Sequence, residues 1–172
     1  MENWSALVRA VPDFPLPGVT FRDITPLLRD AAALNHVVEA LAAPFRPGDI
    51  DAVVAIESRG FMFGAPLALR LQTGFVPVRK LGKLPAATVR REYALEYGTG
   101  HLEMHRDALR SHDRVLLVDD VLATGGTACA AAEMIGELEA EIVEIAFVIE
   151  LVALRGRERL PGPHPVRALL EF

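Results

Sequence analysis

Residues 115–127 read Val-Leu-Leu-Val-Asp-Asp-Val-Leu-Ala-Thr-Gly-Gly-Thr, and no other stretch limits the fold so tightly. Four consecutive apolar residues, 115–118, do not alternate with polar ones. That pattern predicts a strand covered on both faces, which belongs to a parallel sheet between helix layers. Asp119 and Asp120 follow at its carboxyl end. Next comes a loop of small residues, Ala123, Thr124, Gly125, Gly126 and Thr127, and then an Ala-rich helix from Ala128. A strand, a tight loop and a helix start gather backbone N–H groups around an anion. Gly125 and Gly126 are expected to take positive φ and to let a ligand approach the backbone. Thr124 and Thr127 add hydroxyl donors, with Thr127 suited to cap the helix. The paired carboxylates beside this cradle can accept hydrogen bonds from vicinal hydroxyls. A phosphate next to a diol implies a ribose 5-phosphate. The Gly-Lys-Ser/Thr ending of a nucleotide P-loop is missing, as is a G-x-G-x-x-G dinucleotide fingerprint.

The rest of the chain supplies a sheet for that segment. A short helix is expected at 4–11, then an extended Pro-rich stretch at 12–18 that cannot be helical. Asp30 is placed to cap a helix over 31–44. A buried strand at 52–56, a helix at 61–71 and a strand at 75–78 make a βαβ unit, which implies a right-handed crossover and a parallel sheet. A further strand follows at 142–149. The expected core is therefore a doubly wound, mainly parallel α/β sheet. Residues 81–114 leave this pattern. Within them, 88–97 and 101–104 flank Gly98-Thr99-Gly100 and predict a β-hairpin, a long excursion of the kind that often serves as a lid. The Pro-rich segments near both ends read as a small appended region.

The 172 residues form one expected domain over 1–172. A net charge of −5 argues against nucleic-acid or anionic-membrane binding. Arg79, Lys80, Lys83, Arg90 and Arg91 nevertheless make a local basic patch that suits a polyphosphate. The single cysteine, Cys129, excludes an intrachain disulfide and points to a reducing compartment. The first ten residues lack an apolar signal core. The apolar run 145–154 contains Glu150 and is too short to span a bilayer. These features predict a cytoplasmic protein. His101 and His105 could chelate a metal only on a helix, and the neighbouring glycines argue for a turn.

A second strand–loop–helix follows the strand at 52–56, with Glu57, Ser58, Arg59 and Gly60 as its loop. Taken with residues 115–127, it is similar to the type I phosphoribosyltransferases, which use phosphoribosyl pyrophosphate (PRPP). In that family the 115–127 segment matches the PRPP signature and 57–60 the pyrophosphate loop, which implies a cis peptide at Glu57–Ser58. Residues 14–26 resemble the N-terminal hood of the adenine-using branch. Residues 93–98 resemble its flexible catalytic loop, and 79–85 and 151–160 also match. The resemblance implies a hood at about 1–30 and a hairpin lid at about 84–106 on the doubly wound core.

It also implies roles. Adenine and PRPP would yield AMP and pyrophosphate, a glycosyltransferase step of purine salvage. Ala123 to Thr127 would hold the 5′-phosphate, with Asp119 and Asp120 on the ribose hydroxyls. Glu57, Ser58, Arg59, Arg79, Lys80 and Lys83 would face the pyrophosphate, and Arg59 is a candidate catalytic residue. Phe21 and Leu151 would sandwich the adenine, whose edge the backbone of Thr20 and Arg22 would read. Many relatives carry an aliphatic residue where this chain has Thr20. Glu96 either handles a purine proton or is an exposed loop carboxylate. Mg²⁺ would be held mainly by PRPP and water, with no direct protein ligand. A homodimer is implied as well.

Overall fold

The computed structural model describes residues 4–94 and 99–172. The chain begins with a 3₁₀ turn, Trp4–Leu7, followed by β1 (Arg9–Val11) and β2 (Phe21–Asp23), which pair antiparallel. The helix expected at 4–11 is thus cut short. Arg9 is drawn into pairing opposite Asp23, and its guanidinium meets that carboxylate at 2.5 Å. Asp23 also accepts from the Thr25 N–H at 2.9 Å, which turns the chain into α1 (Thr25–Arg29). Asp30 caps α2 (Ala31–Ala42) by accepting from the Ala33 N–H at 2.9 Å, as expected from sequence.

The main sheet then builds through β3 (Ala52–Ile56), α3 (Gly60–Leu71) and β4 (Gly74–Lys80). It continues with β5 (Thr88–Ala94), β6 (Thr99–His105), β7 (Arg114–Leu122), α4 (Gly126–Glu137), β8 (Glu141–Glu150) and β9 (Val166–Glu171). The spatial order is β5-β6-β4-β3-β7-β8-β9. β4, β3, β7, β8 and β9 run parallel, and β6 and β5 are antiparallel. Strand β3 is wholly buried because it faces two cores. Val54 and Ile56 join Leu117, Phe147 and Met134 on the α4 side, while Val53 joins Val37, Leu41, Phe63 and Leu116 on the α2–α3 side. The chain leaves β3 toward β4 and returns on its other side as β7. The crevice between the carboxyl ends of β3 and β7 is therefore the switch point of the sheet, where open α/β folds bind ligands.

Two differences from the sequence reading concern the edges. The Pro-rich segment 161–165 is followed by a strand that the sequence reading did not foresee, Val166–Glu171, which pairs in parallel with β8 and extends the main sheet. Arg167 secures it by donating to the last carbonyls of α2, Ala40 at 2.9 Å and Leu41 at 2.8 Å, and to Glu144. The stem of the hairpin is also built into the body. Val89, Leu102 and Met104 are buried in the core, β6 pairs with β4, and Arg91 reaches Glu133 at 3.2 Å and Glu137 at 2.7 Å on α4.

Candidate active site

Asp119 and Asp120 lie within β7, which runs on to Leu122, and not beyond a short strand. Both are buried, at 8% and 4% exposure. Asp119 Oδ1 accepts from the Asp120 N–H at 2.9 Å. Gly60, the first residue of α3, closes on the same oxygen: a Cβ there would sit 2.8 Å from it. Burial raises the Asp119 carboxyl well above the ordinary carboxylate range, and the neighbouring Asp120 charge adds to this. Asp120 is also raised by burial, but the Arg59 guanidinium, 2.8 Å away, opposes the shift.

Arg59 joins two parts of the site. Its guanidinium carbon also lies 5.3 Å from the centre of the Phe21 ring, which packs edge-on against Phe14 at 5.3 Å. Phe21 and Asp120 thus meet at one cation. Arg22 faces away from this contact, with its guanidinium 4.0 Å over the ring of Phe172. Thr20 is exposed just ahead of β2. Leu151 is half-buried after β8 and donates its N–H to Leu122 O at 2.9 Å, beside the start of the small-residue loop.

That loop departs from expectation in detail. Gly125 alone of the two glycines has positive φ, at 81°, and it caps α4; Gly126 is already helical and Thr127 lies inside the first turn. The reason is a close approach within the protein. A Cβ on Gly125 would run into the Gly156 carbonyl oxygen, and one on Gly156 would run into the Ala123 carbonyl oxygen. The 3₁₀ turn Gly156–Arg159 therefore backs the loop. It is clamped by Arg157, which donates to the buried Glu150 at 2.5–2.8 Å and to Val166 O at 2.6 Å. Sequence reasoning missed Gly156, Glu150 and Arg157. The available signal was a glycine followed by an arginine soon after an acid at a strand end.

Among the residues expected at the pyrophosphate, Glu57 is occupied elsewhere. Its Oε2 accepts from Arg79 Nε at 3.0 Å and from the Lys80 N–H at 2.9 Å. The Arg79 bond holds its carboxyl below the usual range. Glu57 thus joins the loop before α3 to the end of β4, through the Arg79 guanidinium and the Lys80 backbone. The Glu57–Ser58 peptide is cis. Ser58 and Lys83 are exposed, with Lys83 in the turn after β4. Tyr93 of the hairpin stem reaches toward the acids: burial raises its phenol, and the Asp119 charge contributes. Glu96 lies outside the described residues. His101 and His105 sit on strand β6, where a four-residue spacing separates them by about 13 Å, so they cannot chelate one ion.

A phosphoribosyl transferase domain model matches residues 27–164, most of the chain. The chain belongs to the phosphoribosyl transferase family. Within that family it is 53% identical over 170 residues to an adenine phosphoribosyltransferase of Roseiflexus sp. strain RS-1, covering 99% of this chain and 98% of that one. A crystal structure of adenine phosphoribosyltransferase from Thermoanaerobacter pseudethanolicus superposes with a TM-score of 0.94 at 49% identity, covering 99% of each chain. The Saccharomyces cerevisiae enzyme, complexed with adenine and an imino-altritol bisphosphate, superposes at 0.92 with 40% identity over 98% of this chain and 97% of that one. In this phosphoribosyl transferase, no described helix is long and apolar enough to cross a membrane.

Proposed function

We infer that this chain transfers the phosphoribosyl group of PRPP to adenine, forming AMP and pyrophosphate in purine salvage. The observation that carries this reading is the Arg59 bridge at the switch point, where one cation pairs with Asp120 and lies near the ring of Phe21. The choice of adenine is supported by relatives of that name at 53% identity or more along almost the whole chain.

The C1–O bond to pyrophosphate breaks, a bond from C1 to the purine N9 forms, and the N9 proton leaves. Positive charge grows on the ribose as the bond breaks. Asp119 and Asp120 hold the ribose hydroxyls, and their attraction for the increasingly cationic ribose strengthens toward the transition state. The loop Ala123 to Thr127 fixes the 5′-phosphate with its backbone N–H groups. Arg59, Arg79, Lys80 and Lys83 receive the leaving pyrophosphate, with Ser58 beside them and Glu57 orienting Arg79 and Lys80. Phe21 and Leu151 hold the adenine ring, and backbone groups of Thr20 and Arg22 read its edge. Glu96 takes the purine proton. Holding both reactants in line and shielding the cationic centre from water provide the remainder.

Mg²⁺ fits this chemistry. Asp120 Oδ2 is buried and has no hydrogen-bond donor in line among the described residues, so oxygen acceptor capacity remains beside Arg59. When bound, Mg²⁺ neutralises charge on the pyrophosphate oxygens. The family resemblance implies a homodimer in the cytoplasm as the working unit. Incubating the purified protein with PRPP, Mg²⁺ and adenine tests the reading: AMP and pyrophosphate form in equal amounts if it holds, and their absence with a folded protein overturns it.

A further inference from the structure

Resting on the reading of Lys83 as a pyrophosphate-facing cation, we propose that Glu103 is a positioning residue that shapes the basic turn after β4. Glu103 is 1% exposed, on the strand sequence Leu102-Glu103-Met104. Leu102 and Met104 belong to the core on the α4 side. By strand alternation Glu103 lies on the other face, under the turn that follows Lys80. Its Oε1 accepts from the backbone N–H groups of Lys83 at 2.9 Å and Leu84 at 3.0 Å. Successive N–H groups around one oxygen form an anion nest. Gly82, at φ 79° just before it, supplies the left-handed residue that the turn needs.

The far oxygen is poorly served. Among the described residues, Oε2 is buried without a hydrogen-bond partner, and Arg90 Nε lies 3.5 Å away out of alignment. Burying a carboxylate with one oxygen unbonded is costly. A neutral acceptor would satisfy two amides at lower cost. What a carboxylate adds is stronger, charge-assisted bonds and an offset to the mutual repulsion of Arg79, Lys80 and Lys83. Glu57 does the same at the start of the turn, on the Lys80 N–H. The turn is therefore held from below at two points, with its lysine side chains left for an anion. Glu103 reaches no substrate atom and acts through Lys83.

The test is a double-mutant cycle of Glu103→Ala and Lys83→Ala, read by the inhibition constant of pyrophosphate and by KM for PRPP and adenine. Each single change should raise the pyrophosphate constant and KM for PRPP about tenfold, a step equal to about 1.4 kcal/mol, with KM for adenine within about twofold. The double variant should be no worse than the more severe single one. Glu103→Gln, which keeps an acceptor for both amides, should recover most of the loss. If Glu103→Ala does not fold, Glu103→Asp, with its carboxylate withdrawn by one methylene, takes its place in the cycle. Multiplying effects in the double variant, or an equal rise in KM for adenine, would reduce Glu103 to general support. An unchanged pyrophosphate constant for Lys83→Ala overturns the Lys83 assignment and this proposal with it, while AMP formation by the parent leaves the transferase reading standing.

Discussion

Glu57 and Asp119 stand near the carboxyl ends of adjacent parallel strands, yet their surroundings drive them in opposite directions. Glu57 receives Arg79 and the Lys80 N–H and is held ionised, below the usual range. Asp119 receives one backbone N–H, lies against Gly60, and is pushed up by burial beside a second carboxylate. The protein has already supplied the partner for Glu57, so that side chain serves the fold of the site. The cation near Asp119, Arg59, pairs with Asp120 instead, and burial beside a second carboxylate makes the Asp119 charge costly until a cationic ribose, on the proposed reading, forms beside it. Two carboxylates near one end of the sheet therefore do different work, and burial together with the partners beside each separates them.

The largest expected consequence is for turnover. Changing Asp119→Asn together with Asp120→Asn removes charge that acts on the transition state and should cut kcat by about 10²–10³-fold in a folded protein. A fall of less than about twofold, worth under about 0.5 kcal/mol, would remove the acids from the mechanism.

The next effect tests the loop that follows Asp119. Gly125→Val places a side chain at positive φ and against the Gly156 carbonyl. PRPP affinity measured by calorimetry should fall more than about tenfold, and Tm should fall with it, because the collision is internal. Loss of affinity with no change in Tm would mean that the glycine serves only the ligand.

The smallest effects compare the two carboxylates by stability alone, in unliganded protein. Asp119 has a raised pKa in the folded state, so its favourable contribution is complete below the ordinary carboxylate range and is lost as pH rises through the raised value. Asp119→Asn should therefore be more stable than the parent at pH 8, by about 2–4 °C for each kcal/mol recovered, and should lose that advantage toward pH 3. Glu57 has a lowered pKa, so its contribution is present above the ordinary range and is lost as pH falls through the lowered value. Glu57→Gln should be less stable than the parent at pH 8, with the gap closing in acid. Thermal melts of both variants across this range check the signs; matching signs would dissolve the contrast.

The central architecture was legible because its signals are local. The unbroken apolar run 115–118 and the strand at 52–56 announced a doubly covered parallel sheet, and Asp30 announced the start of α2. The two βα loops could be placed at one sheet edge from sequence alone. What escaped depends on distant partners. Strand β9 follows a Pro-rich segment and is only half-buried, so it carries no clear alternation, and its bond to α2 comes from Arg167 across the chain. The N-cap expected at Thr127 moved to Gly125 because Gly156 presses on the loop from a separate turn. Glu103 and Glu150 are charged residues that sequence alone gives no reason to bury, and the turn above one and Arg157 beside the other explain their burial.

Base selection tests the central claim most directly. Adenine presents an amino donor beside an acceptor nitrogen, and on the proposed reading the carbonyl of Thr20 with the N–H of Arg22 would match that pair. Hypoxanthine and guanine reverse the pattern and leave two polar groups mispaired, each at about 1–3 kcal/mol. The measurement is kcat/KM for adenine, hypoxanthine and guanine at saturating PRPP and Mg²⁺. The account predicts a preference for adenine of about 10²–10⁴-fold. Comparable values for adenine and hypoxanthine would contradict it.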